Sequence, residues 1–338
     1  MKLTVVIPCR NEAPYIEECL DAIYDSEISS EIEMSVFVVD GMSDDDTREK
    51  IEELKSKYST LHLVDNEKQL TPFAFNLGIY AGGKVDYVQI VGARHIISKN
   101  YLSECIGHLQ RDPEIWCVGG RIQNEYLNET GEIISIAMGT AFGMGLGNFR
   151  TLTKSGFTDT VTSPMYPYWV FEKIGFFDET LIRNQDDDFN FRVEQAGGQV
   201  YYEHDISLKY YVRGNFSGLR RQFFQYGYWK VFVNRKHKAV TTLRQLVPPA
   251  FVVYSTLLPF LVFLNPPVFL IGAIPMMIYL LMLIYFSSSE AKKIAQFPQL
   301  ISTYLILHYY YGAGYLKGIL EFLILRKNPS DRQKRMSR

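Results

Sequence analysis

Acidic residues are missing from one long stretch of this sequence. Between Ile206 and Ser289 there is no Asp or Glu, while Lys209, Arg213, Arg220, Arg221, Lys230, Arg235, Lys236, Lys238 and Arg244 all fall there. Over the whole chain the net charge is only −2, which gives no general signal for a polyanion and argues against a nucleic-acid partner. Cysteine is scarce as well: Cys9, Cys19, Cys105 and Cys117 form neither a CxxC pair nor zinc-ligand spacing, so they read as reduced thiols. The opening "MKLTVVIP" lacks the length and composition of a signal peptide, and the N-terminal part is expected to stay in the cytoplasm. The glycosylation-like triplets at Asn128 and Asn215 are then chance matches. Internal repeats and low-complexity linkers are lacking too. With 47% hydrophobic residues, the 338-residue chain is not disordered and can bury a full core.

The apolar content is unevenly placed. Residues 246–264 and 266–286 are two uncharged runs joined only by Asn265, each close to the roughly 20 residues that span a hydrocarbon core. Two such runs predict a membrane hairpin, with the basic flanks "NRKHK" and "EAKK" on the cytoplasmic side. A third apolar segment, 300–325, contains His308, Lys317 and Glu321 and precedes a basic tail, 326–338. Crossing the membrane there would carry that tail outside, so an interfacial or re-entrant helix is favoured over a third span.

The first hundred residues alternate between β-branched runs and amphipathic ones: "LTVVIP", "APYIEECLDAIYDS", "MSVFVVD", "DDTREKIEELKSKY", "LHLVD", "TPFAFNLGIYAGG", "DYVQIV". This βαβαβαβ pattern predicts a parallel sheet covered by helices. In such sheets ligands lie beyond the carboxyl ends of the strands. Arg10, Asn11 and Glu12 follow one strand end, and Asp40 closes the next. Asp44, Asp45 and Asp46 suit a helix start, with Ser43 or Asp44 as N-cap. From 115 to 210 the pattern is less regular. Its Gly-rich patch "MGTAFGMGLGNF" fits either a flexible loop on the acceptor side or close helix packing.

Five motifs, in order, carry a resemblance: "VVIPCRNE", "VVDGMSDDDT", "FAFNLGIYAGG", "FFDETLIRNQDDDFNFRVEQAGG" and "QFFQYGYWK". Together they resemble the inverting glycosyltransferases of family 2, of GT-A fold, and within them the membrane-bound branch that builds succinoglycan-type exopolysaccharide. The likeness runs from residue 3 to about 235. It implies an α/β nucleotide-sugar transferase domain over 1–235, ending in an amphipathic interfacial segment at 217–238. A membrane region over 246–325 and the tail would follow. The implied activity is transfer of a sugar from a UDP-sugar to a lipid-linked saccharide at the inner membrane, in a multi-pass protein with its catalytic domain in the cytoplasm. A polyprenyl-phosphate sugar synthase is the alternative within the class, and a non-catalytic membrane-anchored sugar-nucleotide binder the alternative outside it.

Carried over residue by residue, the resemblance implies that Pro8, Arg10 and Glu12 line the uridine pocket and that Asp40 accepts from the uracil N–H. Asn76 and Gly78 would lie near the diphosphate or sugar. The family pattern of a Glu-Asp pair with an arginine six residues beyond the Asp makes Asp186 the general base, with Gln185 in place of the glutamate and Arg192 as the arginine. Asp187 or Asp188 would cap the helix, with Asp187 also on the acceptor side. "LRRQFFQYGYWK" would cover the acceptor side with Arg213, Arg221, Gln222 and Trp229, or lie at the bilayer interface.

The sequence departs from the family where a metal is expected. The strand "DYVQIV" runs into Gly92, Ala93 and Arg94 instead of Asp-x-Asp, and Tyr210 stands near the place of a further histidine ligand. Three readings follow: Arg94 neutralises the diphosphate itself, His95 or an aspartate of 186–188 holds Mg2+ or Mn2+ in another way, or activity is lost.

Overall fold

The computed structural model describes residues 1–145, 149–264 and 266–329. They form two compact units: Met1–Gln123 with Leu152–Tyr211, and Asn124–Thr151 with Val212–Arg338.

The first unit opens as the periodicity predicts, with β1 (Lys2–Cys9), α1 (Ile16–Tyr24), β2 (Glu33–Asp40), α2 (Thr47–Lys55), β3 (Leu61–Asp65), α3 (Thr71–Gly82) and β4 (Tyr87–Ile90). Val5, Val6 and Ile7 are fully buried, as a strand covered on both faces requires. Helix α1 buries Ile16, Cys19, Leu20 and Ile23, one stripe at helical spacing. Helix α3 lies unusually close to β1, because a Cβ at Gly78 would come within 2.4 Å of Val6 Cγ1. Then follow β5 (His95–Ile97), α4 (Tyr101–Arg111) and β6 (Ile115–Glu125). Helices α5 (Glu129–Met138) and α6 (Ala141–Met144) fold with the second unit, and β7 (Gly156–Phe157), β8 (Thr162–Pro167), α7 (Tyr168–Ile174), α8 (Gln185–Gln195) and β9 (Gln199–Tyr211) complete the first.

The strand order is β3-β2-β1-β4-β8-β6-β9-β5, with β7 on β9. Only β3, β2, β1 and β4 run parallel; β8 pairs antiparallel with both β4 and β6, and β9 with both β5 and β7. The parallel pairing expected of the first four strands is present, and the sheet as a whole is mixed. The helical crossovers that enforce parallel pairing occur only in the first hundred residues. Because β2 and β4 flank β1, the chain changes direction across the sheet at β1, and the crevice expected at such a switch lies beyond the tips of β1, β2 and β4.

The second unit contains α9 (Phe216–His237), α10 (Val247–Leu257), α11 (Leu261–Leu264), α12 (Pro266–Gly272), α13 (Ile274–Glu290) and α14 (Gln296–Gly318). Helix α9 packs along α14, where a Cβ on Gly314 would sit 2.0 Å from the Phe224 carbonyl oxygen and one on Gly227 2.0 Å from that of Tyr311. The third apolar segment thus contributes a 23-residue helix with a buried face (Leu300, Tyr304, Leu307, Tyr315), extended by a π-helical turn over Ile319–Ile324. The described part of the Gly-rich patch is packed helix: a Cβ on Gly143 would lie 2.1 Å from the Ala137 oxygen, and Phe142 sits among Tyr279, Phe286, Tyr304 and His308. Two stretches, Leu243–Phe263 and Pro266–Glu290, are long and apolar enough to cross a membrane. Asn265 between them, residues 146–148 of the patch and 330–338 of the tail lie outside the described residues.

Candidate active site

The loops after β1 and β2 are laced together at the strand tips. Asn11 donates from Nδ2 to Asp44 (2.6 Å), accepts from the Asp44 N–H (3.0 Å), and its own N–H reaches Ser43 Oγ (2.8 Å). The Glu12 N–H donates to Thr47 Oγ1 (2.8 Å), and Asp45 accepts from the N–H groups of Thr47 and Ala13. The acidic run 44–46 therefore does more than start a helix. Helix α2 begins at Thr47 with Asp46 at the N-cap position, where its side chain makes no capping bond, while Asp44 and Asp45 join the two loops. Asn11, Met42 and Gln69, in the loops after β1, β2 and β3, all have positive φ, as do Ser163 and Asn184. That geometry is uncommon for non-glycine residues other than asparagine, and Met42 and Gln69 adopt it in the loops at the strand tips.

Asp40, at the tip of β2, is fully buried and accepts from the Ser43 N–H (3.0 Å), the Ser43 hydroxyl and Arg48 Nη1 (2.7 Å). Arg48 also pairs with Asp65 at 2.8 Å, linking the tips of β2 and β3. Three donors leave one of a carboxylate's roughly four acceptor sites. Sequence reasoning missed Arg48, whose only signal is its place one turn into the helix that follows Asp40. Pro8 is half-buried beside Val39 in the β1–β2 register. Arg10 lies along Gly41, where a Cβ would come within 3.2 Å of Arg10 Cδ, and Arg10 Nη1 is buried without a hydrogen-bond partner among the described residues.

At the tip of β4, Arg94 donates from Nε to Glu12 at 2.7 Å and lies over the Tyr15 ring, 4.7 Å from its centroid. Burial works against its charge, but Glu12 more than offsets this and the guanidinium's pKa is raised. Tyr15 was another omission, since an aromatic early in an amphipathic run reads as core. Gly92 donates to His95 Nδ1 (3.3 Å), which also lies 2.7 Å from Ser163 Oγ. His95 is thus engaged through Nδ1 with groups that are not metal ligands. No set of three His, Cys, Asp or Glu side chains able to hold a metal occurs among the described residues. Residues 92–95 offer no carboxylate, the group through which Mg2+ or Mn2+ is ordinarily held beside substrate phosphates, and put a cation in its place, so they do not fit such an ion.

Asn76 serves the frame of this unit. Its Nδ2 donates to the Phe177 carbonyl and to Glu179 (both 2.9 Å), its Oδ1 accepts from the Phe177 N–H (3.0 Å), and it is buried. With both amide ends committed, it ties α3 to the loop after α7.

Helix α8 presents three aspartates differently. Asp188 is fully buried and receives Arg192 Nε at 3.1 Å, while Arg192 also donates to the carbonyls of Ile174 (2.6 Å) and Phe176 (2.8 Å). Asp188 is therefore an anchor for Arg192, where a capping role was open to it. Two residues on, across the helix from Asp188, Asn190 accepts from the Tyr166 hydroxyl (2.8 Å) and donates to Thr160 (3.2 Å), fixing the helix against β8. Asp186, one turn before Asn190 on the same face, is exposed, and Asp187 is half-buried. Gln185 Oε1 is buried without a partner among the described residues.

Apart from Asp187, the residues expected on the acceptor side belong to the second unit. Trp229 is 1% exposed, with Tyr228, Phe232 and Phe322 around its ring, so its face is used in packing. Gln222 is buried and donates to Tyr226 (2.8 Å), Arg221 is exposed, and Arg213 is half-exposed just before α9.

Comparison with known proteins agrees with this architecture. The family model for Glycosyl transferase family 2 matches residues 4–175, just over half of the chain. A dolichyl N-acetyl-alpha-D-glucosaminyl phosphate 3-beta-D-2,3-diacetamido-2,3-dideoxy-beta-D-glucuronosyltransferase of Methanococcus voltae is 29% identical over 241 residues, covering 69% of this chain and 74% of that protein. The succinoglycan biosynthesis protein ExoA of Rhizobium meliloti is 25% identical over 248 residues, covering 73% and 74%. Among solved structures, the mannosyltransferase PcManGT of Pyrobaculum calidifontis superposes with a TM-score of 0.60 at 16% identity, covering 94% of this chain and 87% of that one. That likeness concerns the fold, which is GT-A with C-terminal apolar helices.

Proposed function

The chain belongs to glycosyl transferase family 2, enzymes that move a sugar from a nucleotide-sugar donor, and we propose that its donor is a UDP-sugar and its acceptor a lipid-linked saccharide. Asp186 is the general base. It takes the proton of the acceptor hydroxyl as that oxygen attacks the anomeric carbon; the bond from carbon to the UDP oxygen breaks and UDP leaves with the electron pair, inverting the centre. The observation that carries this reading is the division of labour on α8. Asp188 is sunk against Arg192 and Asn190 is fixed to β8, so the helix is rigid, while Asp186 on its first turn is exposed.

The Asp40 end of the crevice takes the uracil, with Pro8 beside it. Support for a lipid-linked acceptor comes from the dolichyl phosphate-linked substrate named for the Methanococcus relative and from the two apolar stretches of this chain. Their basic flanks support a catalytic unit on the cytoplasmic side of the membrane.

The test is transfer from UDP-sugars to lipid-linked saccharide by the full chain in detergent. Asp186→Asn is expected to lower the rate about 10²–10⁴-fold while UDP affinity stays within about threefold. Proton NMR of the product should show an inverted anomeric centre. A variant within tenfold of wild type, or a product with retained configuration, would refute the mechanism.

A further inference from the structure

A UDP leaving group develops negative charge that must be met by cations fixed in advance. The tip of β4, where an acidic pair would hold a metal on the diphosphate, carries Gly92, Ala93 and Arg94, and its donor set does not fit such an ion. Two guanidiniums stand at the same edge. Arg94 is oriented by a single Nε bond to Glu12 and by the Tyr15 face beneath it, and its terminal nitrogens make no further hydrogen bond to a described residue. Those nitrogens are the fork that binds phosphate oxygens in bidentate fashion. Arg10, on the adjacent β1 loop, has its buried Nη1 without an acceptor, a condition that costs stability unless an anion supplies one. The strand order β2-β1-β4 makes the loops that carry Gly41, Arg10 and Arg94 neighbours at the crevice, and Arg10 lies against Gly41.

We propose that Arg10 and Arg94 together bind the diphosphate of the nucleotide donor and do the charge neutralisation that a divalent metal does elsewhere, so that donor binding needs no metal. This rests on the reading of the donor as a UDP-sugar. Glu12 acts as a positioning residue: it aims Arg94 through Nε and leaves the terminal nitrogens to the ligand.

Calorimetric titration of the full chain in detergent with UDP and with uridine, each in EDTA and in excess Mn2+, tests the proposal. UDP affinity is expected to agree within about threefold between EDTA and Mn2+. Arg10→Ala and Arg94→Ala are each expected to weaken UDP by roughly 10–100-fold, as for lost charged hydrogen bonds, and uridine by less than threefold. Arg94→Lys should fall between, since it keeps the charge and loses the fork. A loss of tenfold or more in EDTA for wild type overturns the proposal without recourse to any variant, as does equal weakening of UDP and uridine in the alanine variants. Wild type that binds neither ligand in either condition would instead defeat the UDP reading, and this inference with it.

Discussion

Asp40, the residue proposed to take the uracil, shows at the level of a single residue how a candidate ligand group is also tied into the fold. Its buried carboxylate is held by Arg48, which is about one-third exposed. Replacing Arg48 with Met would leave a buried anion short of its cation and should cost about 2 kcal/mol, below the range for a fully buried pair because water screens part of the interaction. Thermal unfolding of the purified chain measures it, and a change under about 0.5 kcal/mol would contradict the role assigned. Glu203 offers a pH-dependent test in the same unit. Burial alone would raise its carboxyl, but the Ser155 hydroxyl, the Asp205 N–H and His108 at 2.8 Å together hold it below the ordinary value. A depressed folded-state pKa gives stability that is complete above the unfolded value, about 4.3, and lost as pH falls through the folded one. The Tm advantage of wild type over Glu203→Gln should therefore narrow between about pH 5 and pH 3; a constant difference would exclude the linkage.

At the level of elements, the crossing of α9 and α14 depends on missing side chains. A Cβ on Gly314 would lie 2.0 Å from a backbone oxygen, which cannot rotate away as a side chain can, so even Gly314→Ala must move one helix. A cost of about 2–3 kcal/mol or loss of the folded protein is expected, read by yield and by unfolding in detergent. Such a contact could not be read from the sequence, because "YYYGAGYLKG" shows small residues but not which helix they meet. The first four strands were legible, since β-branched runs alternating with amphipathic ones leave few other solutions, and so were the polar strand ends at Arg10, Glu12 and Asp40. Side-chain and strand pairings were not: Asp188 with Arg192, four residues apart on one helix, looked like a helix start, Asn76 looked like a ligand, and the antiparallel half of the sheet has no crossover helices to announce it.

At the level of the molecule, the two apolar stretches expose large side chains that a water-soluble protein would cover: Phe263 is 85% exposed, Leu270 67% and Leu281 64%. If these face lipid, Leu281→Arg should reduce membrane integration, each such charge near mid-membrane costing about 2.5–3.5 kcal/mol, with less protein in the carbonate-resistant fraction. Unchanged fractionation would argue that the stretch lies against protein or water. Under the proposed function, such stretches would hold a nucleotide-sugar transferase at the bilayer that confines its acceptor.

The central claim is that the tips of β1, β2 and β4 form the site for a uridine diphosphate sugar. Photo-crosslinking of the full chain with an azido-uridine analogue of the donor, followed by peptide mapping, tests it most directly. The account predicts label within residues 8–15 and 40–48, displaced by excess UDP. Label confined to the second unit, or label that UDP does not displace, would contradict it.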